Sequence, residues 1–230
     1  MSTRAPAHQI AYARLREMVL FGELAPGASV TIEGLVSRLG LGMTPVREAI
    51  RRLIAEGALQ LLGNRRVCVP RLDLAALEDL GYARKAIETR LAAQALAGCD
   101  PGLIARLRDI DAQLDQAIAA GDVAGYLRHN HAFHFTLYAR AASPVLEALA
   151  ASLWLRIGPS LRVVCQGPDG PEGAGARGAD GAPLHEPDNH KRALAALAAG
   201  DEAGLVSAIA ADIAQGVANI RAGLGQGLFG

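Results

Sequence analysis

The chain has little of what marks several protein classes. Its 230 residues include three cysteines, Cys68, Cys99 and Cys165. They are odd in number and widely spaced. That leaves no disulfide framework and no CxxC metal pair, and it points to a reducing, cytoplasmic setting. No apolar run approaches the roughly 20 residues of a membrane span, and the polar N-terminus lacks a secretory core. Lysine is nearly missing, with 2 against 21 arginines. This preference goes with heavy use of Ala and Gly and carries no function by itself. There is no HExxH, and no Glu-x-x-His pair of the di-iron bundles. Both absences argue against an enzyme. From Asp73 onward there is no strand-like alternation.

Net charge is also absent: 23 Lys+Arg stand against 23 Asp+Glu. Zero would argue against a nucleic-acid partner only if the charge were evenly spread. Residues 1–71 carry ten arginines (4, 14, 16, 38, 47, 51, 52, 65, 66, 71) against five glutamates (17, 23, 33, 48, 56), a net of +5. Residues 72–230 carry 13 basic and 18 acidic residues, a net of −5. Such asymmetry suggests a nucleic-acid-binding part joined to something else. Apolar residues make up 51%, enough for a folded core in one or two domains.

In the basic part, residues 8–21 have apolar residues near helical spacing, and Gly22 ends the run. A Pro26-Gly27 turn follows. Residues 32–39 form a short helix with Thr31 as N-cap. Thr44-Pro45 reads as a cap followed by Pro at N1, opening a helix to Glu56 that Gly57 stops. Val46, Ile50 and Leu53 lie on one side of it, and Arg47, Arg51 and Arg52 largely on the others. Residues 58–62 and 66–70 are two short strands. Three helices and a hairpin describe a winged helix-turn-helix over 1–71. The alternative is a small α+β domain with a solvated basic face.

Residues 72–230 read as an all-helical bundle: helices over 73–97, 101–120, 122–141, 143–164, 186–199 and 201–222. Asp100-Pro101 and Ser143-Pro144 are helix starts. Pro159 kinks its helix. The Gly- and Pro-rich 166–183 is expected to be a mobile loop, with a lid as its role.

These residues resemble a known family. YARLREMVLFGELAPGASVTIEGLVSRLGLGMTPVREAIRRLIAEGAL resembles the N-terminal module of GntR-family transcriptional regulators. YARKAIETRLAAQAL (82–96), HNHAFHFTLYARAASPVLEAL (129–149) and HKRALAALAAGDEAGLVSAIAADI (190–213) resemble the FCD ligand-sensing domain of the FadR-like subfamily. The resemblance implies a homodimeric bacterial regulator, here read as a repressor, whose hold on operator DNA is altered by a small organic acid. The rival readings are a helical metal-dependent enzyme and an architectural DNA-binding protein with a vestigial pocket.

By that resemblance Arg47 contacts the operator, gripping guanine or phosphate. Thr44 caps its helix and offers a hydroxyl to a phosphate. Arg38, Arg51 and Arg52 are candidate phosphate anchors. Many relatives have Ser-Arg just before the Thr-Pro, where this chain has Gly42-Met43. The wing carries Arg65-Arg66, which shifts the expected DNA contact toward it.

The FCD resemblance also implies a divalent metal, commonly held by an Asp and a His four apart and then two more His. Those positions fall on Asn130, His134, His190 and Asp212. All lie on apolar stripes: His134 with Leu127, Leu137 and Tyr138; His190 with Leu194 and Leu197; Asp212 with Leu205, Ala208 and Ile209. An acid on such a stripe is costly unless neutralised. Two imidazoles and a carboxylate leave open positions and suit Zn²⁺, Ni²⁺, Mn²⁺ or Fe²⁺. The alternative is a metal-free polar pocket with both histidines bonded to Asp212. Arg84 is expected to clamp an effector carboxylate or to pair with Glu88 one turn on. Arg156 is the second effector candidate. Trp154 is expected in the core or pocket wall, and His129 and His131 on the surface.

Overall fold

The computed structural model describes residues 6–63, 65–166 and 188–228. The 167–183 part of the expected loop lies outside them. Among the described residues the chain runs α1 (Ala7–Leu20), β1 (Ser29–Thr31), α2 (Ile32–Leu39), α3 (Met43–Ala55), β2 (Gln60–Leu62), β3 (Arg66–Cys68), α4 (Leu74–Leu96), α5 (Pro101–Ala119), α6 (Val123–Tyr138), α7 (Pro144–Cys165), α8 (Asn189–Ala199) and α9 (Glu202–Gly225). The fold is mainly helical, a winged helix-turn-helix followed by a helical bundle.

The helix starts are written in side chains. Asp73, Asp100, Asp122, Asp188 and Asp201 each accept the backbone N–H three residues on, at 2.6–3.0 Å. Each such cap is worth about 1 kcal/mol. Thr31 caps α2 in the same way, accepting from Gly34 N at 3.0 Å. Thr44 does not cap α3. That helix begins at Met43, its N-cap is Gly42, and no side chain closes its end. Gly42 takes the extended backbone a cap requires, which moves Thr44 inside the first turn and leaves the N-terminal N–H groups uncapped.

One strand escaped the periodicity. Ser29–Thr31 is too short to show alternation, yet it pairs antiparallel with β3, with Val30 opposite Val67. β2 pairs with the other edge of β3, so the sheet order is β1-β3-β2.

The first core joins the two halves. Leu15, Val19, Leu35, Ile50, Leu53 and Val67 pack in one cluster with Leu127, Trp154 and Leu155 from α6 and α7. A second cluster lies inside the bundle around Leu91, Phe133, Leu137, Leu194 and Ile209. The end of α1 docks on α7 through backbone. Arg162 Nη1 donates to Phe21 O at 3.1 Å and Arg16 Nη2 to Ala151 O at 3.4 Å. Gly158 permits the approach, since a Cβ there would stand 2.1 Å from Leu20 O. Pro159 lies inside α7, as expected.

Helices α7 and α9 are long and apolar enough to cross a membrane by length and composition alone, although no uncharged run in either approaches 20 residues. Scattered charges such as Asp212 interrupt the runs without lowering the average much. Both helices pack here against α4 and each other.

Replacing Gly158 with Ala should cost about 1–3 kcal/mol through overpacking at this seam. Gly216→Ala is the control. Its added methyl meets only Leu161 at an ordinary 3.6 Å, and it should be neutral or slightly stabilising. Thermal melts of the two variants check the contrast.

Candidate metal centre and DNA-facing surface

Three helices bring together the residues expected to hold a metal. α6 supplies His134, α8 His190 and α9 Asp212. One ligand atom from each lies within 4.8 Å of the others. His134 Nε2 stands 3.0 Å from Asp212 Oδ2 and 3.4 Å from His190 Nε2. His190 Nε2 is 3.8 Å from Asp212 Oδ1. Asn130 lies one turn before His134 on the same face and is buried.

The outer imidazole nitrogens decide what this cluster can bind. His134 Nδ1 meets the Tyr138 hydroxyl at 3.0 Å. That hydroxyl donates to Glu88 Oε2 at 2.8 Å, so its oxygen accepts a proton from Nδ1. His190 Nδ1 faces Asp111 Oδ1 at 3.5 Å, an oxygen with no hydrogen-bond partner among the described residues. His190 also stacks on Phe133, with centroids 4.1 Å apart, which fixes its plane. The proton of neutral His134 thus points outward, and Asp111 is an unfilled acceptor facing His190 Nδ1. The His134 Nε2 lone pair, His190 Nε2 and a carboxylate oxygen then converge, an arrangement that calls for positive charge among them. A divalent metal fits this donor set, and protons can fill the same demand. Burial alone would lower the pKa of His190, but the Asp111 and Asp212 carboxylates outweigh it and raise it. Burial alone would raise that of Asp212, yet the histidines and Arg84 hold it well below the usual carboxylate range.

Two of these partners were not singled out from the pattern, although the signal was present. Asp111 lies on the apolar stripe Leu103, Leu107, Leu114 of α5, all buried, the same anomaly that marked Asp212. Tyr138 lies on the inward stripe with Leu127 and Leu137, and its hydroxyl reaches both His134 and Glu88. Lys191, beside His190, pairs with Asp188, with Asp115 at 2.9 Å and with Asp111 at 3.9 Å. It ties the start of α8 to α5.

The structure pairs Arg84 with Glu88, at 2.6 and 3.2 Å, and both are buried. Its Nη1 makes no hydrogen bond among the described residues, and its charge reaches Asp212. Arg156 is exposed. Its Nε lies 3.7 Å from where a Gly57 Cβ would stand, so it adjoins the turn after α3. Trp154 is buried, as expected.

His131 departs from its surface expectation. Aromatic packing across the seam holds it in. It stacks on Phe135 at 4.2 Å and meets Trp154 and Phe21 edge-on at 5.4 and 5.8 Å. Its Nε2 is buried with no hydrogen-bond partner among the described residues.

On the other face the arginines divide. Arg47, Arg51 and Arg66 are exposed, and no ion pair or hydrogen bond holds them among the described residues. Arg38 and Arg65 make long exposed pairs with Glu23 (3.8 Å) and Glu33 (3.9 Å). Arg65 also takes a left-handed backbone, φ 55°, which non-glycine residues rarely adopt. Arg52 is built into the module. It bonds Glu56 at 3.0 Å and lies 3.7 Å over the Tyr12 ring.

Burial, with the nearby Arg16, His134 and Arg84 charges, pulls the pKa of His131 down to about 3. The unfolded chain binds that proton near pH 6.5. Stability is therefore lost as pH falls below about 6.5, reaching about 2 kcal/mol by pH 5. His131→Phe should remove that part of the acid slope while keeping the stacking. Denaturant melts at pH 5 and pH 7.5 check it, and parallel slopes for both proteins would contradict it.

Comparison with known proteins gives concordant results. Residues 79–215 match the FCD domain, and residues 7–69 match the bacterial regulatory proteins of the gntR family. The HTH-type transcriptional regulator McbR of Escherichia coli K12 is 29% identical over 205 residues, 89% of this chain and 88% of McbR. Its solved structure superposes with a TM-score of 0.84 at 28% identity, covering 95% of this chain and 98% of that one. A GntR-type regulator of Rhodococcus sp. RHA1 has the same fold, with a TM-score of 0.72 at 21% identity over 93% of this chain and 97% of that one. The HTH-type transcriptional repressor RspR of E. coli K12 is 29% identical over 90 residues, 39% of this chain and 40% of RspR.

Proposed function

Since the chain belongs to the gntR family of bacterial regulatory proteins and carries an FCD domain, we propose that this ligand-responsive DNA-binding regulator is a cytoplasmic, homodimeric repressor controlled by a metal-held organic acid. In this reading residues 1–71 bind DNA and residues 72–230 sense the effector and dimerise. One observation carries the proposal: His134 Nε2, His190 Nε2 and an Asp212 oxygen converge while both outer nitrogens face other acceptors.

His134, His190 and Asp212 would hold a divalent transition metal, Zn²⁺, Ni²⁺, Mn²⁺ or Fe²⁺, with Asn130 beside them. The metal would supply positive charge and open positions for an effector carboxylate. Arg84 Nη1 is the protein group nearest that task. Arg156, the second effector candidate, lies exposed on α7 beside the turn after α3. The repressor reading draws support from RspR, a partial relative described as a repressor.

On the DNA side Arg47, Arg51 and Arg66 are exposed cations that no ion pair holds among the described residues, and the uncapped start of α3 offers N–H groups to a phosphate. Thr44 is exposed within that first turn. Arg38 and Arg65 would exchange long carboxylate pairs for phosphates. The second copy has a surface to meet. Among the described residues Leu74 and Tyr82 on α4, and Val145 and Leu149 on α7, are exposed large apolar side chains, Tyr82 to 80%. These two helices pack side by side.

Freshly purified protein should carry about one metal per chain by elemental analysis. His134→Ala and Asp212→Asn should lose most of it. A metal-free wild type whose Zn²⁺ affinity equals that of His134→Ala would sink the metal reading. On a duplex selected by the wild-type protein from a random pool, Arg47→Ala should weaken binding by about 1–3 kcal/mol and relax the sequence preference. Arg66→Ala should mainly flatten the salt dependence. Tyr82→Glu should shift the solution mass toward monomer.

A further inference from the structure

Glu88 has no exposed surface and lies in the middle of α4. A carboxylate there is tolerated only if its lone pairs are filled. Four hydrogen bonds fill them. Arg84 Nε donates to Oε1 at 2.6 Å, and Arg84 Nη2 to Oε2 at 3.2 Å. Tyr138 Oη and Trp154 Nε1 also donate to Oε2, at 2.8 and 2.9 Å. The donors come from α4, α6 and α7. Oε2 is therefore shared between Tyr138, which hydrogen-bonds His134, and Trp154, whose ring also meets the His134 ring at 5.2 Å.

The Tyr138 branch leads inward. Its hydroxyl proton is committed to Glu88, so its oxygen can only accept from His134 Nδ1. Glu88 thereby sets, through Tyr138, which His134 nitrogen carries the proton. The Trp154 branch leads outward. The indole meets His131 edge-on at 5.4 Å, and His131 meets Phe21 edge-on at 5.8 Å. Phe21 follows directly on α1 of the DNA-binding module, and its carbonyl is the one Arg162 holds. Side chains from His134 to Phe21 thus form one unbroken contact chain, through Tyr138, Glu88, Trp154 and His131.

We propose that Tyr138 and Glu88 are positioning residues for His134, and that Glu88 and Trp154 transmit the state of the histidine cluster to the seam between α1 and α7. The idea rests on the metal reading above. A cation at Nε2 withdraws charge from the imidazole and strengthens its outer N–H as a donor. Hydrogen bonds in series polarise one another, so the Tyr138 share of Oε2 changes and the Trp154 share changes with it. Core packing leaves little room to absorb the shift locally, so Trp154 and His131 carry it to Phe21.

Trp154 is the chain's single tryptophan, which makes it a built-in reporter. The experiment titrates Zn²⁺ into full-length, EDTA-stripped protein. It follows binding by calorimetry, Trp154 emission, and hydrogen exchange over residues 15–24. In wild type, Zn²⁺ should shift the emission and change exchange at the end of α1. Tyr138→Phe keeps the ring and cuts the link. Its Zn²⁺ affinity should fall about 10–100-fold, and at calorimetrically verified saturation most of the exchange response should be gone; emission reports binding only, because the Trp154 ring also meets His134 directly at 5.2 Å. Trp154→Phe should still bind Zn²⁺ and lose the exchange response. A wild-type exchange response in saturated Tyr138→Phe, or a retained exchange response in Trp154→Phe, overturns the proposal. So does Zn²⁺ binding by wild type without any response, which leaves the metal reading standing. Failure of wild type to bind Zn²⁺ overturns both. If Tyr138→Phe does not fold, wild type and Trp154→Phe decide between these outcomes.

Discussion

A buried charge has to be answered from every side, and Glu88 imposes that condition on three helices at once. Removing a carboxylate from water costs several kcal/mol unless its oxygens are filled. Here the four hydrogen bonds come from Arg84, Tyr138 and Trp154. Meeting them fixes the rotation of α4, α6 and α7 relative to one another. An exposed i,i+4 pair like Arg84 and Glu88 would be worth a few tenths of a kcal/mol. With no exposed surface on the carboxylate, the same pair becomes a constraint on the bundle.

The histidine cluster inherits its properties from this frame. Two imidazoles beside a carboxylate are common and prove little. What gives this group its character is that each outer nitrogen faces an oxygen, Tyr138 hydrogen-bonded to His134 and the Asp111 carboxylate 3.5 Å from His190. The inner nitrogens are left facing one another. A site so arranged demands positive charge, as metal or as protons, and the two compete. That competition is the elementary requirement for a sensor whose state depends on what is bound.

The seam with the DNA-binding module is equally specific. The end of α1 rests on the backbone of α7 at Gly158, and the apolar cluster of the winged helix extends into Trp154, Leu155 and Leu127. A freely tethered module would carry its own closed core. Here the core is shared, so residues of α1 pack in one cluster with those of α6 and α7. His131, lodged between Phe21 and Trp154, is the polar group caught in that continuity.

Much of this was legible in the residues themselves. Helical periodicity, Asp caps and the Thr31 and Pro101 starts located nearly every helix, because those signals act within three or four residues. The charge split separated the DNA-facing part from the rest. The His134, His190 and Asp212 set could be drawn from family likeness and from polar residues on apolar stripes. Other features were not legible. β1 exists only because β3 lies beside it. Gly42 rather than Thr44 takes the N-cap position of α3, since the backbone at the turn decides which residue is extended. The partners of Glu88, the Asp111 carboxylate behind His190 and the burial of His131 depend on contacts between helices far apart in the chain. Local chemistry writes itself into sequence at short spacing. Proton placement and domain coupling are properties of atoms brought to about 3 Å from distant positions, and only the packed tertiary structure decides those.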